Sequence, residues 1–222
     1  GNAEVVRLKE QIATGSSEID KKQQQYHREK SRLESLVNIT ERYDGYGNSI
    51  RKIMELKEQR PGILGVIADI VKVEKQYETA IETALGGTIQ NIVTDNENTA
   101  KDLIAYLKQN RFGRATFLPL SAIQVRNTLE GEPCMKEKGV IGAASDLVRV
   151  SFEYEKLAKY LLGRILVVDN IDNALAIARK YRHSLRIVTL EGEQLNPGGS
   201  MTGGAFKNSS NLLGRRREIE EL

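Results

Sequence analysis

GILGVIADIVKVEKQYETAIETALG at residues 62–86 and GVIGAASDLVRVSFEYEKLAKYLLG at residues 139–163 are two versions of one pattern. At an offset of 77 they agree at Gly62/Gly139, Gly65/Gly142, Asp69/Asp146, Val71/Val148, Val73/Val150, Tyr77/Tyr154, Glu78/Glu155, Leu85/Leu162 and Gly86/Gly163, nine of 25 positions. After a three-residue shift, Val93-Thr94-Asp95-Asn96 faces Val167-Val168-Asp169-Asn170, with Ala100 and Ala174 at matching places in the helices that follow. A period this long is too large for a solenoid and implies two related subdomains facing each other.

The texture around the repeats is mixed α and β. Short β-branched runs at residues 63–67, 70–73, 89–93 and 115–118 predict strands, and residues 77–85 and 98–109 predict helices. Residues 130–138, polar and holding Gly131 and Pro133, read as the linker between the copies. Before the body, Val5, Ile12, Ile19, Tyr26 and Leu33 recur every seven residues as a positions of a coiled coil, with Leu8 and Leu36 at d. Gly15, Lys22 and Glu29 occupy the intervening d positions, so the seam needs a partner helix; a solvated amphipathic helix packing on its own domain fits the same spacing. Ser17 and Asp20 have the spacing of a capping box and predict an interruption of the helix near residues 14–17. Asp44 to Asn48 breaks the pattern, and a charged helix at residues 50–59 ends at Arg60-Pro61. The resulting division is arm and incoming helix 1–59, subdomain I 60–130, linker 131–138, subdomain II 139–211, and an outgoing helix from 212 to 222.

Composition excludes several classes. Apolar residues make up 40% and charged residues 28% of 222, and 33 basic against 30 acidic residues leave a net charge of +3. That is a globular chain without a global polyanion-binding charge. Cys134 is the single cysteine, so no disulfide framework exists and a reducing, cytoplasmic setting is expected. No run reaches the roughly 18 apolar residues of a membrane span, and Gly1 to Glu10 is charged where a signal peptide is apolar, so no membrane association is expected. His27 and His183 are far apart without ligand-spaced partners, so neither a metal nor a cofactor is expected. Asp69 with Asp146, and Tyr77 with Tyr154, occupy equivalent places in the two copies and read as capping, turn or packing residues rather than catalytic or base-stacking ones. No catalytic residue is assigned.

Gly198-Gly199-Ser200-Met201-Thr202-Gly203-Gly204 packs four glycines into seven residues. Ala205 and Phe206 follow where a Walker loop needs Lys and Ser or Thr, and Thr202 stands where a nucleophile elbow needs glycine. A flexible turn and a close backbone interface remain. A second candidate surface is basic: Lys207, Arg215, Arg216 and Arg217, with a looser set of Lys101, Lys108, Arg111, Arg114 and Arg126, could meet phosphates, whereas a charge run at a helix start also simply solvates it.

The glycine stretch, following a doubled body that opens with Gly62-Ile63-Leu64-Gly65 and continues through Tyr77 to Gly86, resembles the hinge of bacterial Structural Maintenance of Chromosomes (SMC) proteins over residues 60–222. The resemblance implies two αβ subdomains with pseudo-twofold symmetry flanked by coiled-coil helices, an α+β fold. It implies a homodimer that closes a ring through two contacts, with residues 198–204 at the interface, and an antiparallel arm partner from the same chain. It implies a non-catalytic role joining the arms of a chromosome condensation and segregation ATPase at the nucleoid, without a cofactor, and favours weak DNA contact through Lys207, Arg215, Arg216, Arg217, Arg111 and Arg114. The rival readings are an enzyme domain binding nucleotide through the glycine loop, and a monomeric DNA-binding module.

Overall fold

The computed structural model describes residues 1–43, 45–206 and 212–221, without the side chains of 35–42, 219 and 221. It divides into two compact units, Gly1–Asp44 and Gly45–Leu222. The first is a single helix, α1 (Asn2–Arg42), of 41 residues. The expected interruption is absent: Thr14 Oγ1 donates to the Glu10 carbonyl at 2.9 Å, satisfying its hydroxyl within the helix, and Gly15 costs helix propensity without removing an amide. Val5, Ile12, Ile19, Tyr26 and Leu33 are all more than half exposed, so the a seam is unpartnered in this unit. Leu36 lies outside the described side chains. Among the described residues no helix is long and apolar enough to cross a membrane.

The second unit begins with α2 (Asn48–Met54), shorter than the sequence predicts because the chain from Leu56 to Arg60 closes into turns. Ser49 Oγ donates to the Arg114 carbonyl at 2.6 Å, and Ile50, Ile53 and Met54 are buried, so this helix belongs to the body.

Each repeat then builds a sheet around one parallel pair. In the first, β1 (Ile63–Val66), β3 (Ile92–Thr94) and β4 (Phe117–Pro119) lie in the order β1-β3-β4. In the second, β5 (Val140–Ala143), β7 (Ile165–Val168), β8 (Arg186–Thr189), β9 (Gln194–Leu195) and β10 (Met201–Thr202) lie in the order β10-β9-β8-β7-β5. The correspondence extends to register. β1 pairs antiparallel with β3 through Ile63↔Thr94 and Gly65↔Val93, with an irregularity between them, and β5 pairs with β7 through Val140↔Val168 and Gly142↔Val167 with the same irregularity. β3 with β4 and β7 with β8 are parallel, and α5 (Glu97–Asn110) and α7 (Ile171–Lys180) make the crossovers.

These crossover helices explain two matched glycines. Asn96 and Asn170 cap them, accepting from the Thr99 and Asn173 amides at 3.0 and 2.9 Å. Asp95 accepts from Thr99 Oγ1 and Asp169 from Asn173 Nδ2, at 2.5 and 2.8 Å. The carbonyls of Gly62 and Gly139 receive the amides of Asp95 and Asp169 at 3.0 and 2.9 Å, so the incoming strand lies against the cap. A Cβ on Gly62 would meet Thr99 Oγ1 at 2.7 Å, and one on Gly139 would meet Asp169 Oδ1 at 2.5 Å.

The two halves join through β2 (Lys72–Val73) and β6 (Val148–Arg149), paired as Lys72↔Arg149 and Val73↔Val148. Lys72 and Arg149 are equivalent at the offset of 77, so a residue faces its own counterpart and the pseudo-twofold axis passes between them. The linker is anchored as well: Leu129 and Cys134 are buried in the core of the second sheet with Leu166, Val168, Ile177 and Ile187. Glu137 accepts from Lys180 Nζ at 2.6 Å and Tyr181 Oη at 3.0 Å, and the Lys180 contact holds its carboxyl below the usual range.

The chain closes with α8 (Leu212–Glu221), whose Leu212 and Leu213 are buried. It packs on α3 (Ile67–Ile70), α4 (Glu78–Leu85) and β2. Glu82, on α4, accepts from the Leu212 amide at 2.9 Å, a side chain capping a helix from outside it. Burial raises the Glu82 carboxyl to about 7; the Leu212 hydrogen bond opposes this and the Glu78 charge adds to it.

Gly139→Ala, at φ +89 and against the α7 cap, destabilises the body by about 1–3 kcal/mol in chemical denaturation, whereas Gly15→Ala, with nothing within 4 Å, raises the helicity of α1 in circular dichroism. Because the folded pKa of Glu82 lies above its unfolded value, its contribution is fully present below the unfolded value of about 4.5 and is lost as pH rises through about 7. Glu82→Gln therefore flattens the fall in melting temperature between those pH values, by an amount worth about 1 kcal/mol once discounted for solvent reaching the carboxylate.

Candidate functional site

The four-glycine stretch forms a hairpin end. After β9, Asn196 donates its amide to the Ser200 carbonyl at 2.8 Å and its side-chain Nδ2 to Ser200 Oγ at 3.1 Å. Gly198 and Gly199 turn the chain at φ +94 and +104, in the left-handed region that side chains resist. Their amides donate to the carbonyls of His183 at 2.8 Å and Asn196 at 3.0 Å. The stretch is thus anchored on its inner side, and His183 serves as its neighbour.

The outer side differs. β10 is the terminal strand of the five-stranded order, paired with β9 through Met201↔Leu195 and Thr202↔Gln194. Residues 197–206 are all exposed, including Met201 at 50% and Phe206 at 53%. A Cβ on Gly198 or Gly204 would meet nothing within 4 Å, so contacts inside the chain do not exclude side chains there. Beyond the strand, the Phe206 ring lies over Gly192, in the space a Cβ would take. In the first sheet the terminal strands are β1 and β4, the latter preceded by exposed Arg111 and Arg114.

The expected basic surface is divided. Arg111 ends α5 in a left-handed conformation, φ +54, and Arg114 follows the turn at Gly113; both are exposed. Arg216 and Arg217 correct the sequence reading: the structure turns them into the body. Arg216 Nε stands 2.7 Å from Asp69 Oδ1, with the side chains 13% and 10% exposed, and Arg217 Nε contacts the buried Glu78 carboxylate. Desolvated guanidinium groups held by carboxylates are not offered to phosphate. Arg215 lies near Gly45, with Nη1 3.4 Å from where a Cβ would stand. Lys207 falls outside the described residues.

The same pairs correct the reading of Asp69 as a cap or turn residue. Its mate Asp146 is exposed, so the two copies use this aspartate differently. Sequence reasoning missed Asp69, Glu78 and Glu82 as the acidic seat of the last helix, because the partners are 130 or more residues apart. The signal in sequence was a run of arginines and, far upstream, acidic residues of which only Glu82 lacks an acidic counterpart in the second repeat. Among the described residues no group of three His, Cys, Asp or Glu side chains could hold a metal ion.

Comparison with known proteins agrees with this geometry. Residues 60–178 match the family described as SMC proteins Flexible Hinge Domain. The chain is 40% identical over 224 residues to the chromosome partition protein Smc of Desulfitobacterium hafniense, an alignment covering 99% of this chain and 19% of that protein. The chain therefore spans about a fifth of the length of that relative. Among solved structures, an asymmetric dimer of the Geobacillus stearothermophilus SMC hinge domain superimposes with a TM-score of 0.75 at 37% identity, over 89% of this chain and 81% of that one. The Pyrococcus furiosus SMC hinge domain gives a TM-score of 0.60 at 30% identity, over 80% and 95%. With the doubled sheet, the pseudo-twofold ribbon and the glycine hairpin all in place, the chain belongs to the SMC flexible hinge family.

Proposed function

We propose that this chain is a homodimerising hinge, in which β10 of each copy adds to the open β4 edge of the partner's first sheet. The observation that carries this reading is a terminal strand, exposed along its whole approach and flanked by Gly198 and Gly204, where a Cβ would meet nothing within 4 Å. Bare main chain lets a second backbone come within pairing distance, the geometry of strand addition. A two-residue strand supplies only a few hydrogen bonds, each worth about 1 kcal/mol net. The pseudo-twofold body remedies this weakness by presenting both edge types on one molecule. Two copies then close a ring with two contacts, and the second forms at the high effective concentration set by the first. Met201, half exposed on the strand, gains burial in the same step.

In the parent protein this unit joins two arms of a cytoplasmic, nucleoid-associated chromosome partition ATPase and performs no chemistry itself. The unpartnered seam of α1 takes an antiparallel helix from the same chain. DNA contact is weaker than the arginine count suggests, since Arg216 and Arg217 are engaged by carboxylates, which leaves the exposed Arg111 and Arg114.

Replacing Gly198, Gly199, Gly203 and Gly204 together by alanine yields a folded monomer by multi-angle light scattering, with helix content kept in circular dichroism; a dimer mass would defeat the edge-pairing reading. Removing residues 1–44 leaves the dimer mass intact, because the interface lies in the second unit. A monomer after that truncation would favour a module dimerised by its coiled coil alone.

A further inference from the structure

Glu82 in the first repeat and Lys159 in the second hold one position, an offset of 77 apart, and carry opposite charge. Glu82 accepts from the Leu212 amide, at the start of α8, at 2.9 Å. The neighbouring positions differ in the same sense. Gln90, whose Oε1 accepts from the Gly47 amide just ahead of α2 at 3.1 Å, corresponds to Arg164 across the three-residue shift. Thr116, which lies beside Ser49 and Ile50 of α2, corresponds to Arg186, because Ile92 faces Phe117 and its equivalent Leu166 faces Ile187. Three positions that seat helices in the first repeat are cations in the second.

The helices themselves have no counterpart there among the described residues. Residues 122–127 precede the second repeat as residues 45–50 precede the first, and they form no helix where the first repeat begins α2. Chain without helical winding is thinner than a helix of about 10 Å diameter, so the seat is underfilled. What remains is a groove of about 700 Å³, bordered by Arg126, Lys159, Arg164 and Arg186 and, among the described residues, by no carboxylate. All four side chains are exposed. Arg164 is engaged by Glu132 at 3.1 Å, whereas Arg126, Lys159 and Arg186 have no ion pair among the described residues. Ile123, Ile165 and Leu185 are buried at the floor. A solvated, underfilled seat needs no particular charge, so packing does not explain a cation at each vacated position.

We infer that this groove is the docking site of an acidic amphipathic helix of a partner protein. Equivalent backbone in the first repeat already seats helices, so the same molecule shows the shape of the seat. There the helix-facing groups are acceptors, and Glu82 and Gln90 meet amides at helix N-termini. Cations in the same places answer the opposite polarity: carboxylates along a helix, or the carbonyls of its C-terminal turn. The apolar face is of matching size. In seven residues, α2 buries Ile50, Ile53 and Met54, and the floor at Ile123, Ile165 and Leu185, with the exposed Tyr160 beside it, offers a comparable apolar surface. Arg126, Lys159 and Arg186 then gain the carboxylate partners that the chain itself does not supply.

The test is fluorescence anisotropy of the 222-residue chain with a labelled, lactam-stapled peptide of about fourteen residues, leucines on one face and glutamates flanking them. The wild-type chain binds it, and affinity falls as salt rises. The triple variant Arg126→Glu, Lys159→Glu, Arg186→Glu binds on the order of tenfold more weakly, and it prefers a peptide with lysine in place of glutamate. Its neutral counterpart, with Gln at the three positions, lies between the two and carries the test if charge reversal costs stability. The variants keep the wild-type melting curve and light-scattering mass, which separates loss of docking from loss of fold. A folded variant with half the wild-type mass places the groove in the homodimer contact and overturns the proposal. A scrambled peptide of the same composition, its leucines spread around the helix, binds on the order of tenfold more weakly than the patterned one. Equal affinity for both peptides, with displacement of either by oligothymidylate of equal charge, makes the groove a general polyanion surface and overturns helix docking. So does undiminished binding by the folded triple variant, or no binding by the wild-type chain at low salt.

Discussion

Between the two sheets runs a ribbon of two residues on each side, Lys72-Val73 against Val148-Arg149, and the symmetry of the body follows from its register. Since Lys72 faces its own counterpart, each repeat is related to the other by a half-turn about that point. A half-turn sends the edges of one sheet to positions related to those of the other. The half-turn sets β4 opposite β8, and because β9 and β10 extend the second sheet past β8, one molecule ends in β4 on one sheet and in β10 on the other. A slip of one residue would move the axis and turn alternate side chains to the wrong face.

Symmetry of backbone is not symmetry of chemistry. Gly62 and Gly139 are both required because the strand lies against a capped crossover helix in both copies. Asp69 and Asp146 also match, yet one is locked to Arg216 and the other is exposed. The divergence follows the helices: the first repeat seats α2 and α8, and its acidic residues answer the arginines of α8. The second repeat, with no helix in that place, carries cations where the first has Glu82, Gln90 and Thr116.

The attachment of α8 depends on desolvated charges. Arg216 with Asp69 and Arg217 with Glu78 are pairs in which losing one member strands the other, so the last helix leaves the body from a stiff base. Glu82 adds the helix cap and, held near neutrality by burial, makes that base responsive to pH.

The doubled αβ plan, the coiled-coil character of residues 1–42 and the special status of the glycine stretch were all legible in one dimension. Each rests on local physics: spacing sets which face of a helix is apolar, and the absence of a Cβ sets what backbone is allowed. The repeat set Asn96 opposite Asn170, and the structure makes each the cap of its crossover helix. Charge pairing was not legible, since Arg216 meets Asp69 and Arg217 meets Glu78 only after the chain has returned across the whole body. The basic groove was equally hidden, because Arg126, Lys159, Arg164 and Arg186 come from four separate segments and only one of them stood out in sequence. The amino-acid order by itself determined which backbone could form and where bare main chain would stand. Tertiary structure alone decided which charges neutralise one another and which remain in water, because electrostatic partnership depends on distance through space, and folding sets that distance without regard to separation along the chain.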